Sequence, residues 1–233
     1  ASPELLFRLE GDHIESRPMK GTAARGLWFE DDERRAAALR QSEKDRAENV
    51  MIVDMVRNDL GRIAFPGSVE TPELFTVERY PTVWQMTSSV RARTREPLGR
   101  ILAALFPAAS ITGAPKRRTM QIIRELETEP RRVYTGAIGY AAPGRQARFS
   151  VAIRTVLIHK PAGQMEYGVG GGIVWDSDPA REWEECQTKA RALRPERREF
   201  DLYETLRWTP GEGFWLLEGH LRRIERKWPS SSQ

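Results

Sequence analysis

Two pairs of acids are spaced to act together. Asp45 and Glu48 stand three residues apart in a helical pattern, and Glu182 and Glu185 do the same in another. At that spacing both members of a pair project from one face of a helix. Two such faces meeting would give an oxygen-rich pocket suited to Mg²⁺, which takes carboxylates, waters and substrate oxygens. The spacing also fits ordinary solvated acids, and Glu182 lies in the first turn of its helix, where the macrodipole favours an acid. Gly168, Gly170, Gly171 and Gly172 are the densest glycine cluster. Backbone N–H groups in such a turn can approach an anion, or the turn can simply bend a sheet. It is no phosphate loop, since no Lys-Ser/Thr follows, and no dinucleotide fingerprint is present. Tyr134 and Arg154 fall on consecutive predicted strands, and Arg154 breaks an apolar run between Ile153 and Thr155. A buried arginine needs an anion, either a protein acid or a ligand carboxylate. Lys20, between Met19 and Gly21-Thr22, is a nucleophile or base if desolvated and an ordinary surface lysine otherwise. His13, His159 and His220 are isolated and read as surface or packing residues.

These groups need elements to hold them. Residues 4–9 and 12–17 read as two strands around Gly11-Asp12, a hairpin signal, and residues 18–26 as a loop. A helix in two pieces spans 31–62, with Val50, Ile52, Val53, Met55, Val56 and Leu60 giving the second piece an apolar stripe. Residues 74–94 look extended. A helix starts near Pro97, and another covers 115–128 with Pro115 at its first position. Strands are expected at 133–140, 149–158 and 165–169. Asp178 is the expected N-cap of a helix that starts at Pro179 and runs to about 193. Strands and helices mix without regular alternation, which favours α+β over a doubly wound sheet.

Composition narrows the classes. The 233 residues suffice for a large core, and 39% hydrophobic with 30% charged is ordinary for a globular chain. The 37 basic residues exceed the 33 acidic ones by only four, although the pI is near 9.4. Basic and acidic residues interleave, as in DDERRAAALR and RPERREF, so no single-sign stripe for nucleic acid forms. Only six of the basic residues are lysines, at 20, 44, 116, 160, 189 and 227, so each one stands out. No apolar run approaches the ~18 residues of a membrane span, and ASPELLFRLE is not a signal peptide. The single cysteine, Cys186, leaves no disulfide scaffold and no multi-cysteine zinc site, and points to a reducing, cytoplasmic setting.

Six motifs stand in order: S-P-E at 2–4, R-P-M-K-G-T at 17–22, AENVMIVDMVRNDLGR at 47–62, TGAPK at 112–116, YTGAIGY at 134–140 and GGGIVWDSDPAREWEE at 170–185. Together they resemble the chorismate-utilising enzymes, which include component I of anthranilate synthase and of aminodeoxychorismate synthase. Isochorismate and salicylate synthases are more distant. The resemblance covers residues 1–195. It implies an α+β fold of two packed, largely antiparallel sheets flanked by helices. In this chain that fold would be incomplete at the N-terminus, with exposed sheet edges. It implies Glu48 and Glu185 as Mg²⁺ ligands and Asp45 and Glu182 as acids acting through metal-bound water. Tyr134 and Arg154 would bind the pyruvyl carboxylate of chorismate. Gly170, Gly171 and Gly172, with Gly21 and Thr22, would contact substrate, and Lys189 would lie close to the bound ring carboxylate.

Lys20 selects the branch within that resemblance. Anthranilate synthases resemble P-I-A-G-T here and aminodeoxychorismate synthases P-I-K-G-T. In the second branch the lysine attacks C2 of chorismate, the C4 hydroxyl leaves, ammonia adds at C4 and the lysine is expelled. Glu4 matches the general acid/base that assists departure of the hydroxyl, a poor leaving group that needs a proton. Gln85 stands where anthranilate synthases carry histidine. No glutaminase triad is present, so the resemblance implies a separate glutamine amidotransferase subunit as ammonia source. After a linker at 196–199, residues 200–233 resemble the start of aminodeoxychorismate lyase, a pyridoxal-phosphate enzyme. The cofactor lysine of that enzyme would lie downstream, so pyridoxal phosphate is not expected here. The remaining alternatives are an anthranilate synthase, or an inactive piece that serves as an interaction surface.

Overall fold

The computed structural model describes residues 4–175, 177–190 and 205–227. The chain opens with the expected hairpin, β1 (Leu5–Glu10) and β2 (His13–Arg17), turning at Gly11 with a positive φ of 59°. Next come β3 (Met19–Ala24), α1 (Phe29–Gln41), α2 (Glu43–Gly61), β4 (Glu70–Arg79) and β5 (Val83–Arg93). Three helices follow, α3 (Leu98–Leu105), α4 (Ala109–Thr112) and α5 (Lys116–Leu126). Then come β6 (Ala137–Ala142), β7 (Gln146–Val151), β8 (Val156–His159), β9 (Gln164–Tyr167) and α6 (Pro179–Ala190). The last described elements are β10 (Trp208–Thr209), β11 (Gly213–Phe214) and α7 (Leu217–Lys227).

Seven strands build one antiparallel sheet. β5 pairs with β2, β3 and β4, β1 joins β2 to β7, and β6 lies beyond β7. β2 and β3 follow one another along β5 and are separated by Pro18, whose carbonyl accepts from Ser88 N–H at 3.2 Å. One face of the sheet carries the core. Phe7, Leu9 and Ile14 pack with Val90, Ala147 and Val151 against Ile52, Val53, Val56 and Leu60 of α2 and Ile101 and Leu105 of α3. Each such fully buried side chain contributes roughly 1.5–3 kcal/mol. A second cluster docks α1 on β5 through Ala36, Leu39, Trp84 and Met86.

The mixed α+β architecture stands, with differences in its parts. Among the described residues there is one large sheet plus two two-stranded ribbons, β8–β9 and β10–β11. The expected loop at 18–26 is largely β3, because β5 offers a paired edge that local pattern does not reveal. The expected strand at 149–158 breaks at Ala152 and resumes at Val156. Tyr134 lies in a turn before β6 rather than on a strand, and Arg154 lies in the break with φ near 50°. Pro115 is the cap residue before α5, not its first residue. Asp178 caps α6 as expected, its Oδ1 accepting from Arg181 N–H at 2.9 Å. The linker at 196–199 and the end of the expected helix after Ala190 lie outside the described residues. No single helix among the described residues is long and apolar enough to cross a membrane.

Candidate active site

Lys20 sits on a bulge. The β3–β5 register runs from Met19↔Thr87 to Thr22↔Gln85, so Lys20 and Gly21 together oppose Met86. Bulges bend a strand and re-aim its side chains. Gly21 takes a φ of 90°, and a Cβ there would stand 3.0 Å from Asp45 Cβ. Glycine is thus required twice, for the conformation and for the close approach of α2. Side-chain amides take the carbonyls of the two bulge residues. Asn49 Nδ2 donates to Lys20 O at 3.4 Å, and Gln85 Nε2 donates to Gly21 O at 2.7 Å. Thr22 Oγ1 donates to Gln85 Oε1 at 3.0 Å, and Ser88 Oγ to Asn49 Oδ1 at 2.5 Å.

The glycine cluster faces the same place. A Cβ on Gly172 would stand 3.0 Å from Lys20 Nζ, and one on Gly171 would stand 2.7 Å from Glu182 Oε2. A Cβ on Gly170 would meet the Tyr134 hydroxyl at 2.8 Å, and one on Gly168 would enter the Tyr134 ring at 2.3 Å. Lys189 Nζ donates to Gly170 O at 2.8 Å and pairs with Glu185 at 2.6 Å, which ties α6 to the turn. Burial raises the Tyr134 phenol above its ordinary value, so it stays a hydrogen-bond donor at neutral pH.

Glu4 lies beneath, 5% exposed, accepting from Ser110 Oγ on α4. Burial lifts its carboxyl above the ordinary glutamate value; the hydrogen bond from Ser110 and the field of Lys20 pull the other way and do not offset it. The result is a carboxyl of raised pKa that feels the Lys20 charge.

The expected residues are not all gathered. Arg154 is exposed and forms no hydrogen bond or ion pair with a described residue; its field reaches Tyr80 at the end of β4. The expected buried arginine beside Tyr134 is therefore not what this arrangement holds. The four acids come from two helices, with Asp45 of α2 against Gly21 and Glu182 of α6 against Gly171. Glu48 lies 3.9 Å from Lys44, and Glu185 is held by Lys189. Their all-oxygen chemistry suits Mg²⁺, and Glu182 Oε2 is buried without a hydrogen-bond partner, a position a cation would satisfy. Among the described residues no three potential ligands converge on one metal position.

Asn49, Ser88 and Ser110 were not singled out from sequence. Their types are common, and their partners are 29 to 106 residues away along the chain. The part-buried Asp59–Lys116 pair, at 2.6 Å, also escaped notice, although Lys116 is one of only six lysines.

Residues 1–195 match the family model described as chorismate binding enzyme. An aminodeoxychorismate synthase of Streptomyces griseus is 50% identical over 196 residues, which cover 83% of this chain and 27% of that protein. Component 1 of anthranilate synthase from Methanothermobacter thermautotrophicus is 44% identical over 195 residues, covering 83% of this chain and 42% of that protein. The crystal structure of anthranilate synthase component I from Streptococcus pneumoniae superposes with a TM-score of 0.70 at 35% identity, over 83% of this chain and 42% of that one. The chain thus spans less than half the length of these relatives.

Proposed function

The chain belongs to the chorismate-binding enzyme family, and on that premise we propose that it aminates chorismate at C4, as an aminodeoxychorismate synthase does. The observation that carries this reading is the placement of Lys20. Its Nζ stands over the glycine turn at Gly172, and buried Glu4 lies within reach of its charge. The S. griseus relative supports the branch, and the anthranilate synthases at similar identity keep the alternative open.

Lys20 Nζ would attack C2 of chorismate as the C4–O bond breaks. The Glu4 proton goes to the departing hydroxyl, which leaves as water. Ammonia then bonds to C4 and the C2–N bond to Lys20 breaks, which frees the lysine, and the proton lost by the new amine returns to the Glu4 carboxylate. The net change exchanges hydroxyl for amine: chorismate and ammonia give 4-amino-4-deoxychorismate and water. Tyr134 donates a hydrogen bond from its phenol to a substrate oxygen above the turn, and Lys189 supplies a positive charge beside Gly170 for a carboxylate. Thr22 and Gly170–Gly172 bound the space, and Arg154 would bind the pyruvyl carboxylate. Glu48 and Glu185, with Asp45 and Glu182 behind them, would hold Mg²⁺, which when bound supplies charge for the ring carboxylate. A separate glutamine amidotransferase subunit would deliver the ammonia. Residues 200–233 are read as the start of a lyase domain that consumes the product.

The test is incubation of the chain with chorismate, ammonium and Mg²⁺, with product identified by mass. Formation of aminodeoxychorismate that disappears in Lys20→Ala supports the reading. Fluorescent anthranilate, or amination at C4 that survives Lys20→Ala, would sink it.

A further inference from the structure

We propose that Gln85 and Asn49 are positioning residues that aim Lys20, each acting through a peptide group beside it; this rests on the reading of Lys20 as nucleophile. The bulge takes Lys20 and Gly21 out of the β3–β5 register. A strand freed from its ladder can rotate its peptide planes, and each rotation would sweep a long side chain across the site. Here both carbonyls are pinned from different elements, Gly21 O by Gln85 of β5 and Lys20 O by Asn49 of α2.

The far end of each amide is also engaged, by Thr22 Oγ1 and by Ser88 Oγ. This fixes which way each amide points, since a flipped Gln85 would set its oxygen against the Gly21 carbonyl. Asn49 is 1% exposed and Gln85 6% exposed. Neither amide can turn away without leaving polar groups unpaired in the interior, so the clasp is stiff. Asn49 is also the neighbour of Glu48 and one helical turn from Asp45. The clasp therefore registers the nucleophile's strand against the helix that carries two of the four acids.

The experiment compares Gln85→Met and Asn49→Asp with the unaltered chain. Each variant removes a donor to one bulge carbonyl at nearly constant volume. Reactivity of each lysine toward trinitrobenzenesulfonate is read peptide by peptide by mass spectrometry, with exposed Lys44 and Lys160 as internal controls. The expected result is a change of about threefold or more in the Lys20 rate alone. It comes with a fall of about tenfold in kcat for amination while KM for chorismate stays within about twofold. Should either variant fail to fold, judged by circular dichroism, Gln85→Glu is the replacement. It keeps the acceptor for Thr22, loses the donor to Gly21 O, and is expected to behave like Gln85→Met. Unchanged Lys20 labelling and kcat in folded variants, even with a lowered Tm, would overturn the proposal and leave these residues purely structural. Survival of amination in Lys20→Ala would refute the nucleophile reading separately, because the labelling rates still decide whether the clasp aims the lysine.

Discussion

At Glu4, burial changes the strength of the acid. A solvated glutamate gives up its proton near its ordinary value of 4.5, whereas burial raises this one above that value, so it keeps its proton to a higher pH. The sign follows directly. The protonated fraction falls as pH rises through the raised value, so a reaction that needs the proton declines along that limb. Glu4→Gln is expected to lower kcat by about 10²- to 10⁴-fold and to remove the limb from a pH–rate profile, while chorismate binding persists. A profile with its limb intact in Glu4→Gln would assign that proton to another group. The glycines give a graded test. Gly168→Ala drives a methyl into a ring, whereas Gly172→Ala meets only the flexible end of Lys20. The first is expected to raise KM for chorismate by about tenfold or more, and the second by much less, in steady-state assays. Sequence alone exposed these residues by type and rarity: one lysine of six, a run of glycines, acids three apart. It could not expose Asn49 or Ser88, because their roles depend on a register shift between strands more than sixty residues apart in sequence. Arg154 shows the opposite failure. An arginine amid apolar neighbours suggested burial, but the chain breaks there and turns the side chain outward.

Elements were legible where pattern is local. The hairpin at Gly11, the division of α1 from α2 and the cap at Asp178 all follow from residue type and period. β3 was hidden because a bulged strand has no clean alternation. The docking of α1 on β5 was hidden as well. It rests on Asp32, which accepts from Arg25 Nε at 2.8 Å, Gly26 N–H at 2.8 Å and Trp84 Nε1 at 2.8 Å. The hydrogen bond from Arg25 is the chief cause that holds the Asp32 carboxyl far below the ordinary aspartate value of 3.8. A depressed carboxylate contributes stability that is complete above its unfolded value and is lost as pH falls through its folded value. The α1–β5 contact is therefore expected to weaken only below about pH 4. Urea midpoints measured from pH 7 down to pH 3 should fall at the acid end in the unaltered chain. They should start lower and fall less steeply in Asp32→Asn. Parallel curves would show that another acid governs the acid limb.

Across the whole molecule the site joins two unlike halves. Lys20, Asp45 and Glu48 stand on β3 and α2, which are welded to the sheet through Ile52, Val53, Val56 and fully buried Leu60. Leu60→Ala is expected to lose about 2–5 kcal/mol in denaturant titration, a large part of the ~5–15 kcal/mol that holds a domain together. The glycine turn, Glu182, Glu185 and Lys189 belong to a thinner layer, where Trp175 and Trp183 are 99% and 66% exposed. That layer is fastened to itself by Lys189 and by Ser177, which donates to Glu182 at 2.7 Å, more than to the sheet. Local opening follows burial, so the layers should open at different free energies. In hydrogen exchange, amides of α2 and β5 are expected to exchange with global unfolding, and those of α6 and β8–β9 at least about a hundredfold faster. Asp45 and Glu48 from one half and Glu182 and Glu185 from the other would hold Mg²⁺ in the proposed complex, so chorismate with Mg²⁺ should slow α6 selectively and leave β5 unchanged. An α6 already as slow as β5 without ligand would show that the two halves form one cooperative unit.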